Sequence, residues 1–183
     1  MKVDSFRFLP RSFRPVYEGR GPFPGEDAPV WAPFEKRLKQ SKIALLTSAG
    51  IYLQGSQEPF DMEGEKANPE WGDPTWRAIP SAIRSGTPPP ALRTTSPRGG
   101  EEIGFAHLHI NPEDMVADME IALPTQMLDA FAQEGVIGST TTAHVSVMGY
   151  QERSLKGWKE TTAPQIVAWL RDQNADGMIL APA

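Results

Sequence analysis

The sequence predicts an α/β fold, a mostly parallel sheet with flanking helices, on three observations. Short apolar runs of strand length occur at residues 42–50 and again through the second half of the chain. Two stretches of 10 and 12 residues, at 124–133 and 162–173, carry apolar side chains at helical spacing. The first of these runs is nearly continuous, which is the pattern of a parallel strand covered on both faces, while residues 140–148 alternate small and apolar side chains at strand spacing. Helices alternating with such strands favour right-handed βαβ units, hence a Rossmann-like layout.

Taken in order, the chain opens with an extended, Pro-rich arm. Pro10, Pro15, Pro22, Pro24, Pro29 and Pro33 exclude a long helix. Phe6, Phe8, Phe13, Tyr17 and Trp31 give the arm anchors to bury against its own domain or a partner subunit. The chain thus divides into an arm, 1–32, and an α/β domain, 33–183, expected to be the amino-terminal part of a longer native domain. Pro33 suits the first turn of a short helix reaching Leu38. Residues 42–50 form the first core strand. Residues 54–100 are polar and broken by Pro, Gly, Asp and Asn, so they read as loop with one short strand from Trp76 to Ile79. A loop of that length in a compact domain is usually functional or interface-forming. A second strand follows at 103–110. The helix at 124–133 is expected to bury Met127, Leu128 and Phe131, and residues 140–148 return to strand spacing. Ile166, Val167, Trp169 and Leu170 form the apolar face of the helix at 162–173, and residues 177–183 make a last buried strand.

Composition narrows the function classes. A chain of 183 residues fits one domain with a real core, and its 18 Pro and 16 Gly imply long ordered connections. The net charge of −5, with Lys and Arg dispersed, provides no basic footprint for nucleic acid. Residues 1–10 lack the apolar core of a signal peptide, and no apolar run approaches the roughly 20 residues that span a bilayer. A cytoplasmic protein without a membrane partner is expected. The chain has no cysteine, so these residues contain no disulfide, thiolate ligand or thiol nucleophile. Gly135, Gly138 and Gly149 do not make a Gly-X-Gly-X-X-Gly run between strand and helix, so a nucleotide cofactor has no support.

The candidate catalytic residues are the three histidines. His107 and His109 are two apart in a predicted strand and project from one face, and His144 lies in another strand. Three readings remain open: metal ligation backed by Asp118 or Glu120, hydrogen bonding or acid/base work beside a substrate, and ordinary partly buried histidines. No residue is assigned as a metal ligand. Asn111 and Met148 are the candidate substrate-binding residues. Asp61, Asp73, Glu101 and Glu102 fall in loop, where solvated carboxylates are the default, and receive no role. The carboxyl edge of the sheet, where the last strand finishes, is where open α/β sheets place their sites.

Several runs in order carry a family resemblance. They are Pro33-Phe34-Glu35-Lys36-Arg37-Leu38 leading into Ser41-Lys42-Ile43-Ala44-Leu45-Leu46-Thr47-Ser48-Ala49-Gly50, then Pro59-Phe60-Asp61-Met62, and Gly72-Asp73-Pro74-Thr75-Trp76-Arg77. His107-Leu108-His109-Ile110-Asn111, Asp118-Met119-Glu120-Ile121, Glu134-Gly135-Val136-Ile137-Gly138 and His144-Val145-Ser146-Val147-Met148-Gly149-Tyr150 follow. Together they resemble the selenoprotein B family of the glycine/sarcosine/betaine reductases and D-proline reductase. The chain departs from that pattern in having Asn111 after Ile110, where the family has an aspartate, and residues 84–100 match nothing in it.

The resemblance implies an oxidoreductase subunit that cleaves a carbon–nitrogen bond reductively in a small amino acid or N-methylated amine. It implies a partner reductase subunit, which carries any substrate-activating carbonyl, and a thioredoxin-type donor. It also implies a selenocysteine or cysteine directly after Ala183, opening a helix, with His107, His109 and His144 lining the site. The sequence ends at that point, as either a recoded selenocysteine codon or a truncation would make it. Residues 1–183 alone are then expected to be inactive. Two other readings stay open: a non-catalytic binding or assembly subunit on the same fold, and a His-based metal hydrolase.

Overall fold

The computed structural model describes Pro15 and residues 32–68, 70–83, 103–108, 112–151 and 155–182. Pro33–Ala183 forms one compact unit. The proline-rich arm expected before it lies outside the described residues, apart from Pro15 and Ala32.

The elements are β1 (Lys42–Thr47), β2 (Ile51–Leu53), α1 (Met62–Ala67), β3 (Trp76–Pro80), β4 (Ile103–Phe105), α2 (Pro112–Ala117), α3 (Thr125–Gln133), β5 (Ser139–Thr140), β6 (Ala143–Val147), α4 (Ala163–Asp172) and β7 (Gly177–Ala181). Short 3-10 turns occupy Leu38–Gln40 and Met119–Ile121, and a π turn, Trp158–Thr162, runs directly into α4. The short helix expected from Pro33 is not formed. Residues 32–37 are irregular, and only the turn Leu38–Gln40 precedes β1.

β1 is the hub of a mixed, mostly parallel sheet. β7 runs parallel along one side of it from Ile43↔Gly177 to Thr47↔Ala181. The opposite side is shared by β5, through Lys42↔Ser139 and Ile43↔Thr140, and β6, through Leu46↔Val145 and Thr47↔Ser146. Between those two pairings β1 advances by fewer residues than its partner, so Thr141 and Thr142 form a bulge in one interrupted strand. β3 pairs antiparallel with the far side of β6, Trp76↔Val147 to Pro80↔Ala143.

The second strand expected at 103–110 is shorter and sits elsewhere. Among residues 103–108 only Ile103–Phe105 is extended, and it pairs antiparallel with β2 in a separate two-stranded sheet. The alternating geometry of a strand places successive side chains on opposite faces. Ile43, Leu45 and Ile79 enter a core with Met115, Met119, Leu123 and Leu128 on one face of the main sheet. Val145 and Val147 meet Ile166, Trp158, Trp169 and Leu170 on the other.

Expected burials differ on three elements. On α3 Leu128 is buried but Met127 and Phe131 are exposed, because the helix rests on the core along the stripe through Thr125 and Leu128. On α4 Ile166 is buried while Val167 is exposed. Among the described residues β7 has a neighbour on one side only, and Ile179 and Leu180 are 48% and 63% exposed despite an apolar run that reads as a covered strand.

The amino terminus of α3 shows how the connections are fixed. Pro124 gives it no side-chain cap. Instead the Glu120 carboxylate accepts from the backbone N–H of Gln126 at 2.9 Å and of Met127 at 3.2 Å, and from the Thr125 hydroxyl at 3.0 Å. A carboxylate there satisfies donors that the helix leaves open and complements its dipole. Glu120→Ala is expected to lower stability by about 1–2 kcal/mol, read as an earlier urea midpoint with an unchanged slope.

Candidate functional site

The carboxyl ends of β1, β6 and β7 converge on the segment Thr47-Ser48-Ala49-Gly50. The Ser48 N–H donates to the Ala181 carbonyl at 3.4 Å, the Ala49 N–H to Thr47 Oγ1 at 3.2 Å and the Gly50 N–H to the Val147 carbonyl at 2.9 Å. Three successive amides are therefore committed to joining the end of β1 to β7, to itself and to β6.

Gly50 then adopts φ +64°. Its carbonyl accepts from the Ala106 N–H at 2.9 Å, and a Cβ on Gly50 would lie 2.2 Å from the Ala106 carbonyl oxygen. Only a glycine tolerates both the left-handed conformation and that approach. The chain leaving β4 therefore crosses the end of β1 here and delivers His107 to the sheet edge. The His107 ring lies against Gly149, just beyond β6, where a Cβ would fall 2.5 Å from Nε2 and 3.0 Å from the Ser48 carbonyl oxygen. Ser48, Gly50, His107 and Gly149 thus form one cluster at the strand ends.

The turn holding Gly149 is braced from below. Gln151 Nε2 donates to the Met148 carbonyl at 2.9 Å and to the Asp73 carbonyl at 3.1 Å, and Gln151 Oε1 accepts from the Trp158 indole N–H. Gly72 packs beneath it, with Tyr150 O 2.3 Å from where a Cβ would be. Asp73 is a buried carboxylate rather than the solvated one expected of a loop. It accepts from Thr75 N–H at 2.8 Å, Thr75 Oγ1 at 2.5 Å and Asp61 N–H at 2.9 Å. Arg77, held over the Phe60 ring at 4.4 Å, donates to the carbonyls of Glu58 and Pro59. Burial pushes its pKa down, opposed by the charges of Asp73 and Glu58.

His144 lies elsewhere. It is fully buried in β6, and its Nδ1 accepts the Leu45 N–H at 3.2 Å, with Thr141 Oγ1 at 3.3 Å. The bulge at Thr141 and Thr142 carries β5 and β6 past Leu45, and the imidazole supplies the acceptor there. That bond puts the ring proton on Nε2, which, like Ser146 Oγ on the same face, has no hydrogen-bond partner among the described residues. Burial lowers the His144 pKa to about 4, against a smaller opposing effect of Asp129. His144 precedes Gly149 by five residues, about 16 Å of extended chain at roughly 3.3 Å per residue. The structure does not bring His144 together with His107.

His109, Asn111 and Ala183 lie outside the described residues. Met148 is buried against Phe60 and Ala106. Among the described residues no group of three or more His, Asp or Glu side chains is placed to hold a metal ion. No helix among them is long and apolar enough to cross a membrane. The sequence reading missed Gln151 and Asp73. The signal available for this edge was the glycines, Gly50 and Gly149, that directly follow apolar strands.

These features define an α/β protein whose parallel strands end together beneath a histidine-bearing crossing segment. No family model matches the chain, and no solved structure matches it. It is similar to D-proline reductase subunit gamma of Acetoanaerobium sticklandii, with 24% identity over 152 residues, which are 83% of this chain and 52% of that protein. The chain therefore spans about half the length of this curated relative. The similarity supports a distant relation to the proline reductase family.

Proposed function

We propose that these residues form the substrate-side α/β part of an amino-acid reductase subunit of the D-proline reductase type. The observation that carries this reading is the similarity to a D-proline reductase subunit along most of the chain. The sheet edge adds a physical argument. β7 pairs with β1 as far as Thr47↔Ala181, and we place the nucleophile beyond the end of this strand, on the side of the sheet edge where the Gly50 carbonyl holds the residue preceding His107.

A selenocysteine or cysteine at that position, opening a helix, would gain from the helix amino terminus the stabilisation that keeps it anionic. The selenolate or thiolate attacks the substrate carbon that bears nitrogen. The bonding pair of the broken C–N bond leaves with nitrogen, which takes a proton, and His107 is the residue to which this reading assigns that donation. A thioredoxin-type dithiol then supplies two electrons and becomes a disulfide, releasing the carbon with a new C–H bond and regenerating the nucleophile. His109 and Asn111, two and four residues after His107 in sequence, are the further candidates for substrate contact. The partner subunit completes the site.

The test is a chain extended beyond Ala183 with selenocysteine or cysteine, assayed with the partner subunit for dithiol-dependent reduction of proline, glycine, sarcosine and betaine. Turnover of at least one is expected, falling about 10²-fold or more in His107→Ala, the scale of a lost general acid. A folded, extended protein inactive on all four would count against the reductase reading and favour a binding or assembly subunit.

A further inference from the structure

We infer that Gln151 is a positioning residue for the carboxyl-edge site, coupling the π turn before α4 to the placement of His107. The inference rests on the reading of that edge as the functional site, and it uses no feature of the reaction.

Each polar atom of the Gln151 side chain is spent on a different element. Its amide nitrogen closes the turn at 148–151 onto the Met148 carbonyl and reaches across to the Asp73 carbonyl, while its oxygen receives the Trp158 indole N–H. A side-chain amide can satisfy three such partners at once, which a carboxylate or an apolar residue cannot. The turn it closes contains Gly149, on which the His107 ring rests. If the turn relaxes, the surface under the imidazole moves.

The far end of the coupling is the π turn Trp158–Thr162. Inserting a wider turn ahead of α4 re-aims side chains relative to a regular helix, and such turns recur at functional sites. Here it directs Trp158 to Gln151 and Thr162 to the Pro74 carbonyl, at 2.6 Å. The segment at 72–74 is in turn pinned by the Asp73 carboxylate, which holds Asp61 and Thr75. Trp158 packs with Val145, Val147 and Ile166. The brace therefore runs from the helix side of the sheet to the turn that carries the glycine beneath His107, and Gln151 bonds both to Trp158 and, through the Met148 carbonyl, to that turn.

The test reads the imidazole directly, in the full chain, by NMR. In the parent protein, cross-relaxation between the His107 ring protons and the Gly149 α-protons is expected, together with a distinct Trp158 indole N–H signal. Gln151→Ala should weaken the His107–Gly149 cross-peak several-fold and shift the Trp158 signal. Gln151→Glu retains the acceptor for Trp158 and loses both donors, so it should weaken the His107 contact while largely preserving the indole signal. Thr162→Val removes the bond to Pro74 and leaves the Gln151 turn intact, so it should lower the melting temperature without changing the His107 contact. If Gln151→Ala does not fold, Gln151→Glu decides. An undiminished His107–Gly149 cross-peak in the folded glutamate variant, or an equal loss in Thr162→Val, would overturn the assignment. Because no turnover is measured, this result stands apart from whether the protein is a reductase.

Discussion

Gly50→Ala is expected to be among the most damaging single substitutions in the chain, at about 3 kcal/mol or more. Part of the cost is conformational: a left-handed residue with a Cβ loses roughly 1–2 kcal/mol. The remainder is steric, because the new Cβ would meet the Ala106 carbonyl oxygen at 2.2 Å, and that oxygen belongs to backbone. Relief requires the crossing segment to retreat, which breaks the Ala106 N–H bond to the Gly50 carbonyl and withdraws His107 from the edge. For a chain of this size the melting temperature should fall by about 6–12 °C. Gly135 is the control. It has a similar φ of +72°, but no heavy atom lies within 4 Å of its would-be Cβ, so Gly135→Ala should cost only the conformational part. Equal effects at the two positions would show that the contact with Ala106 contributes nothing.

The second large effect is on acid stability and originates at His144. Its pKa is about 4 in the folded protein, lowered by burial from the ordinary 6.5. Between those values the unfolded chain binds a proton that the folded chain refuses, so stability rises with pH across this window. Above pH 6.5 both states are neutral at this site and the contribution is complete. As the pH falls toward 4 it is lost, in total about 3 kcal/mol, and below 4 it levels off. Urea denaturation between pH 7.5 and 4 measures the slope. His144→Asn keeps an acceptor for the Leu45 N–H but does not titrate, so its stability should be lower at neutral pH and flatter through this range. A variant whose profile parallels the parent would remove His144 from the account.

Much of the sheet was legible in the sequence because its strands are short, mostly apolar runs bounded by polar residues and glycine. β1, β6 and β7, and the helices α3 and α4, fall where periodicity predicts them. What escaped was decided by tertiary contacts. α1 lies in a segment read as loop, and its short run is held by the Asp61 carboxylate accepting from the Gly64 N–H. β2 and β4 are three residues each, too short for periodicity to register. The edge position of β7 is invisible to a pattern that reports side chains and not neighbours.

The site was legible in part. His107 reaches the strand ends, but two features of the surrounding structure were not readable. The bulge that gives His144 its bond to Leu45 follows from a register shift among Thr140, Thr141 and Thr142, whose side chains fit either register. The buried state of Asp73 depends on donors from Asp61 and Thr75, one of them remote in sequence.

The central place of β1 also governs the order in which the protein can be assembled. Its amino end is bonded to Asp176, a residue 134 positions later, and the three strands that pair with it, β5, β6 and β7, are all made after α3. Closing a loop of that span costs entropy before any contact repays it. During synthesis the first apolar strand therefore emerges long before its partners and must wait, unpaired, until almost the entire unit exists. β7, the last of those partners to emerge, pairs with β1 from Ile43 to Thr47 and completes the sheet. A chaperone that shields residues 42–50 over that interval would act on the most vulnerable stretch of the nascent chain.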